Sequence, residues 1–314
     1  MRPLTYTRPK HLLPIANLPH IDHVIDLLAD HGIHEIVLLT SYLADAFSST
    51  VEGWGARGVS VEVAHETEPL GTAGAIKNAQ HLLGDEAFFA FNGDVLSVVD
   101  LSAVVAFHGS HGGAGTIVLT PVEDPSVFGV AETDDTGRIQ RFVEKPAPGS
   151  VDSNLINAGI YLLEPRVLDA IPSDQVVSIE REVFPQLAER GELFGTATAA
   201  YWMDIGTPEK YLKANLDALH GRFPTSAVHA WGPDAVCIAP DARVASDAQV
   251  SSACIGAGCV IEAGALVSDA VLLERVHVSK GARVVRSILG EGVRVSEDVE
   301  VSGRAVGDGE TIDS

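Results

Sequence analysis

The chain has 314 residues, 46% of them hydrophobic, enough for one large α/β domain and a smaller one with cores of their own. It carries 43 acidic against 21 basic residues, a net charge of −22, and its only lysines are Lys10, Lys77, Lys145, Lys210, Lys213 and Lys280. That balance excludes nucleic acid and anionic membrane as partners, and with no apolar run of membrane-span length the chain is expected in the cytoplasm.

The opening Met1-Arg2-Pro3-Leu4-Thr5 has no signal-peptide character. Through about residue 222, apolar runs of strand length alternate with segments of helical period, which predicts a Rossmann-like α/β domain with a parallel sheet covered by helices. Ile21, Val24, Leu27 and Leu28 mark a first helix, stopped by Gly32. Strands are expected at Glu35–Thr40 and 59–64, then a helix over 73–83 with Gly84 as its stop. Further strands are expected over 87–91, 115–120, 138–143 and 157–163, with Asp135-Thr136-Gly137 as a turn between two of them. Thr207 as N-cap and Pro208 at the first helical position open a last helix toward His220.

After about residue 227 the helical period gives way to a 17-residue cycle of spacings six, six and five. Its first position reads Ile238, Ile255, Leu272, Leu289, Val306; its second Val244, Ile261, Val278, Val295, Ile312; its third Val250, Val267, Val284, Val301. One branched aliphatic per hexad, stacked on its counterpart a coil below, fills a triangular parallel β-helix. Small residues four places on, among them Ala242, Ala248, Cys254, Cys259, Ala265 and Ala282, complete the pattern and explain two of the three cysteines by packing. Two domains are therefore expected, 1–222 and 228–314.

Four constellations could carry chemistry. Asn92-Gly93-Asp94 follows an apolar strand, at the sheet edge that holds ligands in open α/β folds; its carboxylate is a metal ligand or a turn-former. Trp202-Met203-Asp204-Ile205-Gly206 puts another carboxylate before a capped helix, and two such aspartates could converge on one Mg²⁺. Glu144-Lys145-Pro146 ends a strand with a lysine able to hold a phosphate, or is a surface loop of mixed charge. Glu66 to Gly74 is a glycine-containing loop entering a helix, whose start offers N–H groups to an anion. His108 and His111 read as structural.

In order along the chain, Arg2-Pro3-Leu4-Thr5, Pro9-Lys10, Leu13-Pro14, Glu68 to Gly74, Asn92-Gly93-Asp94, Phe107-His108, His111-Gly112-Gly113, Phe128-Gly129-Val130, Arg141 to Pro146, Ile156-Asn157-Ala158-Gly159 and Tyr201 to Thr207 resemble the sugar nucleotidyltransferase family. The likeness is strongest to its mannose-1-phosphate guanylyltransferase branch, covers residues 1 to about 220, and extends to the tail, for which it implies the left-handed hexapeptide-repeat form. The resemblance implies an enzyme joining a nucleoside triphosphate to a sugar-1-phosphate, GTP with mannose-1-phosphate above all, with release of pyrophosphate. It implies Mg²⁺ on Asp94 and Asp204, Lys10 on the triphosphate side and Lys145 on the phosphate of the sugar phosphate. Glu144 and Asn157, with the Gly129 backbone, would meet sugar hydroxyls; Gly71 and Thr72 would lie at the base, and Gly93 among the substrate contacts. Glu66, five residues before Gly71, stands where uridylyl- and thymidylyltransferases resemble one another in having glutamine. A carboxylate there suits the N1–H and N2–H₂ donors of guanine.

The family opens with a strand and a glycine-rich loop, GxGTRLRPLT, of which only the end is present here. A start assigned too late, or a fragment, is expected rather than a non-catalytic relative, because Lys10, Asp94, Glu144, Lys145, Asn157 and Asp204 are all retained. The competing readings are a glucose-1-phosphate uridylyl- or thymidylyltransferase and a regulatory subunit that binds sugar nucleotide. An acyltransferase role for the β-helix would want a histidine on a coil face, and the repeat offers only His277. Exposed coil faces predict a homo-oligomer. The acidic, lysine-poor composition suits a halophile or an acidic protein of a high-arginine organism.

Overall fold

The computed structural model describes residues 1–40 and 44–314. It divides into two compact units, Leu27–Trp202 in one and Met1–Asp26 with Met203–Ser314 in the other.

In the Leu27–Trp202 unit, Glu35–Thr40 and Ser60–His65 pair in parallel, as the alternating pattern predicts. The larger sheet is mixed instead. Its central strand Leu155–Leu163 runs antiparallel to Phe88–Phe91, Gly115–Pro121 and Gly129–Thr133, and only Leu193–Ala197 lies parallel, on Gly115–Pro121. The physical reason is local: Gly129–Thr133 and Ile139–Glu144 form a hairpin, which is antiparallel by construction. Its turn is tied by Asp134, whose Oδ1 accepts from the backbone N–H groups of Thr136 and Arg138 at 2.9 and 3.1 Å. The core under this sheet contains Ile117, Leu119, Ile139, Phe142, Tyr161 and Phe184, all buried. The expected helix over 73–83 is shorter, Gly71–Asn78, and finishes in a separate 3₁₀ turn, Gln80–Leu82.

The central strand is not regular. Its pairing with Gly115–Pro121 shifts register between Asn157 and Tyr161, and Gly159 between them takes φ +72°. A bulge of this kind re-aims side chains at the point where the ladder breaks.

In the other unit the 17-residue cycle is the hydrogen-bond register itself. Ile238 pairs with Ile255, Ile255 with Leu272, Leu272 with Leu289 and Leu289 with Val306. The second column pairs Val244, Ile261, Val278, Val295 and Ile312 in sequence, and the third Val250, Val267, Val284 and Val301. From Ile255 onward every member of the three columns is at most 5% exposed, whereas Ile238, on the first coil of the stack, is 40% exposed. The result is a parallel β-helix whose interior is a ladder of aliphatics.

Cys259 takes the expected inward place and is fully buried. Cys254 does not. In the five-residue step the backbone turns at Ser252 (φ +49°), so Ala253 and Ile255 enter the coil core. Strand alternation then turns Cys254 outward, where it is buried at 1% in the neighbourhood of Tyr211.

The helix Pro208–Leu219 is capped as expected by the Thr207 hydroxyl, which accepts from Lys210 N–H at 3.3 Å. It binds the N-terminal segment: the Tyr211 hydroxyl donates to Pro14 O at 2.6 Å, and the buried Asn215 Oδ1 accepts from Ala16 N–H at 2.9 Å. Asn17 Nδ2 adds bonds to Cys237 O and Ile255 O, 3.1 and 2.9 Å. The expected boundary at 222–228 therefore falls inside this unit.

Candidate active site

The Leu27–Trp202 unit gathers most of the expected substrate residues. Gly129 and Glu144 are direct partners across the hairpin ladder. Immediately after Glu144 the chain turns out at Lys145 (φ +51°), whose N–H donates to Phe128 O at 2.9 Å and whose side chain is exposed. Glu144 is half-buried. Burial first, then the charge of Glu180, pushes its carboxyl above the usual range, against Lys145 and Arg181.

Asn157 is fixed by the bulge. Its Oδ1 accepts from Gly159 N–H at 2.8 Å and its Nδ2 donates to the Tyr161 hydroxyl at 2.8 Å. The turn carrying Asp94 abuts the same bulge, because Asn92 N–H donates to Gly159 O at 2.7 Å and Val95 N–H to Asn92 O at 3.1 Å. A Cβ on Gly159 would stand 2.9 Å from Asn92, so glycine is what lets the two segments approach. Tyr161 is buried, and burial pushes its hydroxyl pKa up while Glu180 and Glu144 add like charge and Asn157 and Asn92 bond to it.

The Glu66–Gly74 loop is gripped by 177–180. Val177 N–H donates to Leu70 O at 2.9 Å, and Val177 O accepts from Ala73 and Gly74 at 3.0 and 3.3 Å. These two N–H groups at the helix start, expected for a ligand, are thus taken by Val177. Thr72 is also committed: its hydroxyl accepts from Ile179 N–H at 2.9 Å and donates to Glu180 Oε2 at 2.8 Å. Gly71 (φ +72°) would put a Cβ 2.6 Å from Val177 O. Glu66 Oε2 accepts from Leu70 N–H at 2.9 Å, closing the loop on itself.

Lys10 and Asp204 belong to the other unit. Lys10 opens a single turn, Lys10–Leu12, closed by Leu12 N–H on Pro9 O (3.0 Å) and Leu13 N–H on Lys10 O (3.2 Å). Asp204 is half-buried and its Oδ2 accepts from Lys210 Nζ at 2.9 Å. Among the described residues no group of three or more His, Cys, Asp or Glu side chains is arranged to hold a metal ion. Two aspartates make a partial donor set of hard oxygens, the kind that suits Mg²⁺ completing its shell with water and phosphate.

The histidines expected to be structural form a closed chain of bonds. Gly113 N–H donates to His111 Nδ1 at 3.1 Å, so His111 Nε2–H donates to Thr116 Oγ1 (3.0 Å). The Thr116 hydroxyl then donates to His108 Nδ1 (2.8 Å), and His108 Nε2 faces Glu164 at 3.2 Å.

Glu180, which bonds Thr72, Tyr161, which bonds Asn157, and Lys210, which holds Asp204, had no mark in the sequence beyond polar residues next to apolar ones. The best available signal was Ser178, an N-cap whose hydroxyl accepts from Arg181 N–H and donates to Glu180.

Residues 1–221 match the family described as nucleotidyl transferase, and residues 233–313 match the GMPPB C-terminal domain. A mannose-1-phosphate guanylyltransferase of Mycobacterium tuberculosis is 40% identical over 230 residues, 73% of this chain and 64% of that protein. A probable mannose-1-phosphate guanylyltransferase 2 of Arabidopsis thaliana is 40% identical over 268 residues, 81% of this chain and 71% of that protein. The chain thus spans slightly less than two thirds of the first of these relatives. Among solved structures, HddC from Yersinia pseudotuberculosis, known also in complex with GMP-PN, is 30% identical with TM-score 0.58, covering 68% of this chain and 92% of HddC. A putative glucose-1-phosphate thymidylyltransferase from Bacillus anthracis is 26% identical with TM-score 0.62, over 68% of this chain and 88% of its own. No helix among the described residues is long and apolar enough to cross a membrane. With the match running through residues 1–221 and the coil completing it, the chain belongs to the nucleotidyl transferase family.

Proposed function

We propose that the chain joins GTP to mannose-1-phosphate, giving GDP-mannose and pyrophosphate. The observation that carries this reading is Glu144-Lys145 set against Gly129 and beside the Asn157 bulge, in a chain 40% identical to proteins named mannose-1-phosphate guanylyltransferase. The HddC complex with GMP-PN supports a guanine nucleotide.

In this reading Glu144 and Asn157 accept and donate hydrogen bonds to sugar hydroxyls, Gly129 leaves room for the ring, and Lys145 neutralises the phosphate of the sugar phosphate. Gly71 and Glu66 border the base, with Thr72 as a strut of that loop and Gly93 keeping the Asp94 turn open to substrate. Lys10 meets the triphosphate. The sugar-phosphate oxygen attacks the α-phosphorus in line and pyrophosphate leaves, without a covalent enzyme intermediate; the protein positions two anions and offsets their repulsion. Asp94 and Asp204 would hold Mg²⁺, which when bound supplies charge neutralisation at the phosphates. The enzyme works in the cytoplasm, as a homo-oligomer through exposed coil faces, and its acidic surface is a salt adaptation.

Pyrophosphate release tests this, with GTP, UTP, dTTP and ATP each paired with mannose-1-phosphate and glucose-1-phosphate. The expected maximum is GTP with mannose-1-phosphate. A maximum with UTP or dTTP and glucose-1-phosphate would replace the assignment, and binding of GDP-mannose without release from any pair would make the chain a regulatory subunit.

A further inference from the structure

The segment that carries Lys10 is tied to the β-helix by an ion cage. Arg8, two residues earlier, donates to both oxygens of Glu274 at 3.0 and 2.9 Å, and its Nη2 also donates to Glu291 Oε2 at 2.9 Å. Glu274, Glu291 and Asp308 are each 17 residues apart, the same place on three successive coils. The third member is joined too: Thr7 donates to Asp308, and Asp308 Oδ1 accepts from Glu291 N–H at 2.8 Å.

Nothing in the coil interior requires this column, since the inward positions are the aliphatics. Carboxylates stacked one coil apart repel unless a cation lies between them. Arg8 bridges the first two, and Arg275 pairs with Glu291 from the other side. Arg8 is only 20% exposed, and although burial opposes its charge, Glu274 and Asp308 hold its pKa above the ordinary arginine value. A planar fork that meets one carboxylate bidentately and a second with the same nitrogen is a site lysine cannot reproduce.

We propose that Arg8 is a positioning residue: through Glu274 and Glu291 the β-helix fixes the Pro9-Lys10 turn from which Lys10 meets the triphosphate, so the coil is part of the nucleotide site. The nucleotide half of this rests on the proposed function; the mechanical half does not.

The test compares the full chain with Arg8→Met, Arg8→Lys and the double variant Glu274→Gln/Glu291→Gln, by amide hydrogen exchange and by titration calorimetry with GTP and Mg²⁺. In Arg8→Met and in the double variant, the Leu12 and Leu13 amides that close the turn should exchange about tenfold faster or more, while coil amides such as Val260 and His277 keep their rates. GTP affinity should fall about tenfold, with mannose-1-phosphate affinity within about twofold of the parent and Arg8→Lys in between. Unchanged exchange at Leu12 and Leu13 would overturn the cage. Equal losses for both substrates, together with faster exchange throughout the coil, would make it structural only. A parent chain that binds neither GTP nor GDP-mannose would refute the proposed function and leave the exchange result to decide the mechanical claim.

Discussion

Gly129 faces Glu144 across the hairpin, and a Cβ on Gly129 would lie 2.8 Å from Glu144 Oε2 and 2.6 Å from Phe142 Cζ. The Phe142 ring is buried edge-on against Phe184 and resists the added methyl, so the strand edge has to shift along with the carboxylate. Gly129→Ala should therefore lower the melting temperature and also move the acceptor. The expected result is a rise of about tenfold in KM for the sugar phosphate, close to the 1.4 kcal/mol of part of one charged hydrogen bond, with KM for GTP unchanged. Steady-state kinetics with a melting curve checks it; an unaltered KM would mean Glu144 does not meet the sugar.

Glu66 has two oxygens, and Oε2 is spent on Leu70 N–H. Glu66→Gln keeps an acceptor for that bond and changes what the other end offers a base, an N–H donor in place of a second acceptor. The ratio of kcat/KM for GTP over UTP should fall by about ten- to a hundredfold, in keeping with one base contact of about 1–3 kcal/mol. Glu66→Ala should instead lower both values together by loosening the loop. If Gln leaves the ratio unmoved, the carboxylate serves only the turn.

How legible this was depended on whether a feature repeats or stands alone. The coil was readable to the residue, because each aliphatic of the cycle answers to one stacked directly above it, and a periodic constraint leaves a periodic trace. It failed only at Cys254, where a five-residue step with a left-handed Ser252 changes which residue faces in. The central sheet was misread as parallel because alternation of strand and helix reports order along the chain, whereas direction is set by single turns such as that at Asp134. The motif residues stand out in the sequence only through resemblance, and Glu180, Tyr161 and Arg8 do not stand out at all. Glu180 and Arg8 act on partners remote in sequence, Thr72 and Glu274, and such pairs leave no local pattern.

Acid should destabilise the protein through two imidazoles. Burial pushes His23 down to about 4, and burial with the charge of His108 pushes His111 down to about 4. In the unfolded chain both titrate near about 6.5. Stability is therefore complete above about pH 6.5 and falls as pH drops toward 4, because over that window the unfolded chain binds protons the folded one refuses; below it both states are charged and the loss levels off. His23 is the stronger contributor, being 7% exposed. Urea unfolding at pH 7, 5.5 and 4.5 should show a shallower slope for His23→Gln, by at most about 1.4 kcal/mol per pH unit. An identical slope would show that His23 is not the group refusing the proton.

The last prediction turns on Asp204 and its partner. The Lys210 ammonium sits 2.9 Å from Asp204 Oδ2, so a divalent cation using that oxygen has to compete with a covalently tethered monovalent one. The pair is half-exposed, so the lysine's hold is modest and displacement by an ion of twice the charge is feasible. Removing the ammonium with Lys210→Met should then lower the Mg²⁺ concentration that half-activates the enzyme, by about three- to tenfold, since the site no longer has to expel a cation. Asp204→Asn should act oppositely, cutting turnover by two or more orders of magnitude at limiting Mg²⁺ with the melting temperature held, as expected on loss of a metal ligand at transferring phosphates (about 3 kcal/mol). Activity measured across a Mg²⁺ titration after chelation with EDTA separates the two. If Lys210→Met needs more Mg²⁺, the lysine is a phosphate contact and Asp204 its counter-ion; if both variants titrate like the parent, Asp204 holds no metal.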